Sequence, residues 1–220
     1  MKQLNFYDVL ARRRMCRAFA PEPITDDVLE RVLSAALRAP TNDHLHQLEF
    51  VVIRSLDRIA EIISPVAANT ERVQAAALKA TGHAMDPDEH AMFVDALPKQ
   101  HSMLIESGCL VLVYFRQVGV PLLETVELSS LNYFASAWAA IENILFAAAA
   151  EDIGCTFQIP IENESEHVKA CVRAPKDYEL ACFRALGHPA EGEHFCRPKA
   201  LDIRSKIHRD TFDEASSGSC

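Results

Sequence analysis

Apolar residues recur along this chain with two different periods. From Thr25 onward, Val28, Leu29, Val32, Leu33, Ala36 and Leu37 return at three- and four-residue steps, the spacing of one helical face. Thr25 can cap that helix, Asp26 and Asp27 oppose the positive end of its first turn, and Pro40 stops it. Residues 4–14 predict a shorter amphipathic helix with Phe6, Val9 and Leu10 on one face. Residues 56–64 and 164–172 also predict helices, and 129–151 a long one containing FASAWAAIENILFAAAA (134–150). LEFVVI (48–53), CLVLVYF (109–115) and ELACFRALGHP (179–189) predict strands instead. The second is apolar on both faces, as a central strand must be. CTFQIPI (155–161) is expected as a strand or extended segment.

Between 65 and 100 the chain is polar and Ala-rich and holds DPDEH (86–90), so a helical excursion or lid is expected there. The tail 213–220 is expected to be disordered. Neither a repeat nor a linker divides residues 1–212, which predicts a single domain. Helices around a few strands, without regular βαβ alternation, predict an α+β sandwich. The 134–150 run is short for a membrane span and carries Glu142 and Asn143 at its centre, which predicts a buried helix.

Charge changes the picture. The chain of 220 residues carries 22 Lys+Arg against 31 Asp+Glu, a net charge of -9. It lacks the basic face that nucleic acid or an anionic membrane requires, so neither is an expected partner. Yet ARRRMCRAF (11–19) gathers Arg12, Arg13, Arg14 and Arg17 at one point. Only 7 glycines are present, with no GxGxxG and no GxxxxGK[ST], so any phosphate must be held by side chains. The guanidinium fork suits that task, which predicts a small phosphorylated ligand. Arg12 is expected only to face the negative helix end, an interaction of about 0.3–1 kcal/mol.

Seven cysteines, an odd number without a CxxC pair, predict reduced thiols, and a cytoplasmic location is expected because no signal peptide is visible. Cys16 stands among the arginines, which would favour its thiolate, but a small buried residue is the expected role. His44 and His46 lack a third ligand at suitable spacing, so no metal site is expected. Phe134, Trp138, Ile141, Leu145 and Phe146 form an apolar stripe that predicts core or dimer packing.

Three segments resemble the nitroreductase-like FMN-dependent oxidoreductase family. RRMCRAF (13–19) is similar to its RRSxRxF, and APTNDHLHQLEF (39–50) to its APSxxNxQPWxF. AAAAEDIGCTFQIPIEN (147–163), followed by YELACFRALGHPAEG (178–192) and RPKAL (197–201), is similar to its closing half. The resemblance spans almost the whole chain. It implies a nitroreductase-like α/β/α sandwich with a central mixed, mainly antiparallel sheet, in an intertwined homodimer with FMN at the interface. It implies that Arg13 and Arg14 serve the phosphate and ribityl end, that Arg17 lies near the N1/O2 edge, and that Arg197 or Lys199 adds a second cation. Pro40, Thr41, Asn42 and His44 would contact the flavin of the partner subunit. Pro160, Ile161 and Glu162 would line the ring, with a backbone N–H near Glu162 facing N5. Glu142 and Asn143 would be hydrogen-bonded at the subunit interface.

The implied activity is reduction of FMN by NADH or NADPH, with hydride passing through N5, and then reduction of a small organic acceptor of nitroaromatic or quinone type, in ping-pong order. No side chain need act as a nucleophile, and a proton for the acceptor would come from water or His46. Met15 stands where the family has Ser, His44 where it has Asn, His46 where it has Gln, and Leu48 where it has Trp. A thioether donates no hydrogen bond, so one flavin contact must be lost or moved. These departures leave two alternatives: a specialised flavin enzyme of the same fold (a reductive dehalogenase or a flavin-consuming enzyme), or a flavin carrier or sensor without turnover.

Overall fold

The helices begin where polar side chains can take up their orphan amides. Asn5 accepts from the Asp8 amide at 3.1 Å while Asp8 reaches back to the Asn5 amide, a capping box that starts α1 (Phe6–Arg12). Thr25 accepts from the Val28 amide and starts α2 (Asp26–Ala36). In this computed structural model the described residues are 5–71, 87–117, 124, 127–161, 163–193, 195 and 202–212. Glu162, Arg197, Lys199, the middle of the expected excursion (72–86) and the tail from 213 lie outside them.

β1 (Leu48–Ile53) follows α2, and α3 (Leu56–Ile62) leads through a turn at Ile63 into helical residues 64–71. Next come α4 (Pro87–Ala96), α5 (Ser102–Ile105) and β2 (Leu110–Arg116). α6 (Asn132–Ala150), β3 (Gly154–Gln158), α7 (Glu164–Val172) and β4 (Tyr178–Gly187) complete the core. The sheet order is β1-β2-β4-β3, with every neighbouring pair antiparallel. A bulge between Val113 and Tyr114 leaves Ala181 unopposed in β4. Where a mixed sheet was expected, the parallel pairing among the described residues is a single bridge, Met15 to Cys155, which lays the arginine segment beside β3.

Both faces of β2 are covered, which is why its sequence is apolar without alternation. Val111, Val113 and Phe115 pack with α2 and α6 through Val32, Ala36, Ile141 and Ile144. Leu110, Leu112 and Tyr114 pack on the other face with Ile59, Ile62, Leu104 and Val168 from α3, α5 and α7. The result is the expected α/β/α sandwich. Residues 128–150 are long and apolar enough to cross a membrane by length and composition, with 33% of that window buried. In this fold α6 packs against α2 and the sheet.

Two local expectations change. Of the α1 face, only Val9 is buried; Phe6 stays exposed and meets the Phe146 ring edge-on at 5.9 Å. Asn143 finds its partner within the chain, because α6 crosses the C-terminal turn of α2: its amide donates to the Ala35 carbonyl at 3.1 Å.

Arg31 of α2 grips Glu151, just past α6, through Nε at 2.9 Å and Nη2 at 2.8 Å. This hydrogen-bonded guanidinium holds the Glu151 carboxyl below its ordinary range. The stabilisation is therefore present above the carboxyl's unfolded pKa and is lost as pH falls through its lower folded value. Glu151→Gln should lower the melting temperature modestly near neutral pH, with the difference from wild type vanishing in strong acid. Melting curves of both proteins across that range check this; a difference independent of pH would exclude it.

Candidate functional site

The arginine segment is pinned between β3 and the loop after β4. The Cys16 amide donates to the Cys155 carbonyl at 3.1 Å, the Ala20 amide to His188 at 2.8 Å, and the Ala190 amide to Ala18 at 3.0 Å. The Arg17 amide donates to the Glu193 carboxylate at 2.9 Å. Cys16 is fully buried at the centre of this seam. Burial, with Glu193 adding to it, pushes its thiol up to about 12, and the opposing influence of Arg17 is smaller. Cys16 is thus a small buried residue, and its thiolate is disfavoured.

The four arginines then diverge. Arg12 pairs with Asp152 at 3.2 Å. Arg14 Nη1 donates to the Ala11 carbonyl at 2.8 Å and to the Arg13 carbonyl at 2.7 Å. Arg14 therefore occupies the C-terminal end of α1, the role the sequence suggested for Arg12. Arg13 lies 3.8 Å from Glu142 of α6, and its charge reaches Cys155. No hydrogen bond or ion pair engages the Arg17 guanidinium among the described residues. Arg12 and Arg14 line a cavity of about 420 Å³ whose other walls include Leu145, Ile153, Cys155 and Phe195. Asp152 shares this wall and pairs with Arg12, and the apolar walls beside the Arg14 guanidinium fit a ligand with a planar apolar part and an anionic end, as FMN is.

Behind this cavity stands a residue the sequence reading passed over. Arg184 of β4 is fully buried, with Nη2 donating to Cys155 Sγ at 2.9 Å and the guanidinium 5.4 Å above the Phe157 ring. Its Nε and Nη1 have no hydrogen-bond partner among the described residues. Burial pushes the Cys155 thiol up, opposed by the charges of Arg184 and Arg13. A cation in the middle of the otherwise apolar run LACFRALG was the available signal. Phe157 continues a line of rings through Trp138 and Phe134 to Phe115, at spacings of 5.4, 6.0 and 5.6 Å.

Pro160 and Ile161 follow the end of β3, on the same edge of the sheet as the arginine segment. Pro40, Thr41, Asn42 and His44 lie elsewhere. They lead into β1, the opposite edge, across three strand spacings of roughly 4.8 Å each. The Asn42 amide donates to Ser136 Oγ at 2.8 Å, which ties this loop to the start of α6. Asp43, His44 and His46 all have left-handed backbones, with φ of 50°, 56° and 45°. Such conformations are costly for residues other than glycine and cluster where a loop presents groups to a ligand. The side chains of His44 and His46 are exposed. One chain therefore brings Arg13, Arg14, Met15, Arg17, Pro160 and Ile161 to one edge and leaves residues 40–46 at the other.

Solved structures share this architecture. That of oxidised iodotyrosine deiodinase bound to FMN and 3-iodo-L-tyrosine has a TM-score of 0.72 at 17% identity, covering 94% of this chain and 100% of that one. NADPH:FMN oxidoreductase from Vibrio harveyi, complexed with NAD+, has a TM-score of 0.69 at 16% identity, covering 96% and 79%. At such identities the likeness establishes a common fold. In sequence, iodotyrosine deiodinase 1 of Rattus norvegicus is 36% identical over 66 residues, 29% of this chain and 23% of that protein. The chain thus spans less than a quarter of the length of this curated relative. The Nitroreductase family model matches residues 10–188, and the chain belongs to the nitroreductase family. The resemblance carried by RRMCRAF, APTNDHLHQLEF and the closing half is thereby met.

Proposed function

We propose that this protein is a cytoplasmic, homodimeric FMN oxidoreductase that takes electrons from NADH or NADPH and delivers them to a small organic acceptor. The observation that carries the reading is the arginine-lined cavity beside β3, in a chain of the nitroreductase family without a Gly-rich phosphate loop. FMN, when bound, supplies two-electron chemistry at N5. The chain's own residues bind and orient. Arg13 and Arg14 hold the phosphate end, with Arg197 or Lys199 as a further cation, and Arg17 places positive charge near the N1/O2 edge. A fixed cation there favours the electron-rich ring and raises its potential. Pro160, Ile161 and Glu162 line the ring. Met15 contributes packing and no hydrogen bond.

The distribution over the two sheet edges supports the homodimer. Pro40, Thr41, Asn42 and His44 cannot reach the arginine segment of their own chain, and a second copy supplies them. His46, on the same strained loop, is the candidate proton donor to the acceptor. Nitroaromatics and quinones are the expected acceptors. A second reading, reductive dehalogenation of a halogenated phenol, is favoured by the 36% identity to the rat deiodinase.

The deciding experiment is an absorption spectrum after FMN loading and desalting, repeated anaerobically with NADPH or NADH. Retained flavin bands that bleach are the expected result. Bands that persist indicate a carrier or sensor, or another reductant, and no retained flavin overturns the reading. Halide release from 3-iodotyrosine by the chemically reduced protein decides for the dehalogenase.

A further inference from the structure

Across the sheet from the arginine-lined cavity lies a second, smaller one. The walls of the first, Leu145, Ile153 and Cys155, belong to the core on the α2 and α6 face, whereas Tyr114 of β2 belongs to the core on the other face. The strand register sets Tyr114 opposite Glu49 of β1, so the two share that face. Both line a cavity of about 230 Å³ together with Arg173, and its other walls include Val51, Pro175 and Tyr178.

The three polar side chains at this cavity are unengaged. Tyr114 is 2% exposed, and its hydroxyl has no hydrogen-bond partner among the described residues. Burial, with the Glu179 carboxylate adding to it, pushes the phenol up, so it stays a donor at neutral pH. Glu179 itself is paired with Lys169 at 3.2 Å. A buried hydroxyl without a partner is costly, and a bound ligand would relieve that cost. Glu49 and Arg173 are exposed, and no hydrogen bond or ion pair engages either side chain among the described residues. Although opposite in charge, they do not pair with each other. Arg173 also closes α7 in a left-handed conformation, with φ of 55°, where glycine is the usual residue. Non-glycine residues held this way cluster at ligand clamps.

The cavity thus runs from a rim with one negative and one positive group to a buried phenol donor. We propose that it binds a free α-amino acid whose aromatic side chain carries an oxygen at its tip. The ammonium group meets Glu49, the carboxylate meets Arg173, and the ring packs against Tyr178, Pro175 and Val51. The oxygen at the tip accepts from the Tyr114 hydroxyl. Opposite charges at one rim favour a zwitterion over a simple acid or amine. The volume lies below the roughly 300–1,000 Å³ of drug-sized sites, which suits a single amino acid. No flavin takes part.

Equilibrium dialysis of the full chain, as purified, against labelled L-tyrosine tests this. Saturable binding to wild type is expected. Tyr114→Phe should weaken L-tyrosine about tenfold, the scale of one net hydrogen bond, and leave L-phenylalanine unchanged, because that ligand lacks the ring oxygen. Arg173→Gln should also weaken L-tyrosine about tenfold and leave tyramine, which lacks the carboxylate, unchanged. Without ligand, Tyr114→Phe should melt above wild type, because it removes an unpaired buried hydroxyl. Absence of saturable binding to wild type would overturn the proposal. So would an unchanged L-tyrosine affinity in Tyr114→Phe, or a melting temperature no higher than wild type, which would give the hydroxyl a partner within the chain. Displacement of bound L-tyrosine by FMN would put the ligand in the arginine-lined cavity and equally exclude this site. Should Tyr114→Phe fail to fold, the exposed Arg173→Gln decides: a weakened L-tyrosine with unchanged tyramine supports the site, and an unchanged L-tyrosine excludes it.

Discussion

Gly187→Ala should destabilise the fold by roughly 3 kcal/mol, the upper range for overpacking a close-packed interior. A Cβ built on Gly187 would lie 2.6 Å from the Ser107 carbonyl oxygen and 2.9 Å from Phe19 Cδ1. The phenyl ring could tilt, but the carbonyl belongs to backbone that leads directly into the central strand β2. Ser107 is itself held, its hydroxyl donating to the Leu104 carbonyl at 3.0 Å. Relief therefore requires moving the end of β4 or the entry to β2. Gly108, the neighbour of Ser107, is a useful control. Its φ is +68° with nothing within 4 Å of a built Cβ, so Gly108→Ala should show only backbone strain, about 1 kcal/mol. Urea unfolding of both variants checks the ranking. Gly187→Ala within about 0.5 kcal/mol of wild type would mean that the strand ends yield more easily than their packing implies.

Arg13→Ala and Arg14→Ala should each weaken FMN binding by about 1.5–3 kcal/mol, the scale of a charge-assisted contact, or roughly 10- to 100-fold in Kd. The two should differ in stability. Arg14 sits on the carbonyls of Ala11 and Arg13, so its loss also frays the end of α1, whereas Arg13 makes only a loose contact with Glu142 at 3.8 Å. Quenching of FMN fluorescence gives the affinities, and thermal melts of the flavin-free proteins give the stability difference. Full flavin retention by both folded variants would show that the phosphate lies elsewhere.

Much of the framework was legible in the chain because local chemistry and tertiary packing agree there. Thr25 announces α2 and caps it, and the unbroken apolar run of β2 announces a strand covered on both faces. The arginine segment pointed to a candidate site because four cations gather there in an otherwise acidic chain. What stayed hidden depends on distant partners. Asn69 and Glu164 are far apart in sequence and meet only when residues 64–71 pack beside α7. Arg184 looks like an ordinary charge until β4 proves central, with its neighbours apolar. The exchange of roles between Arg12 and Arg14 turns on where α1 ends, and a helical period places that end only to within a residue or two. The Asn143 contact stays hidden too, because no sequence pattern reveals that α6 crosses the end of α2.

The seam between residues 16–20 and the far end of the chain also governs when the protein becomes competent during synthesis. The arginine segment has its backbone partners at Cys155, His188 and Glu193, and the Arg17–Glu193 contact joins residues 176 positions apart. Those partners are made well after the segment itself, and contacts so distant in sequence form slowly because their loop must close first. The arginine segment therefore waits for β3, β4 and the loop after it before its backbone is held in place. A nascent chain halted before β4 would carry all four arginines of the cluster and still lack the backbone partners at His188 and Glu193 that hold the segment.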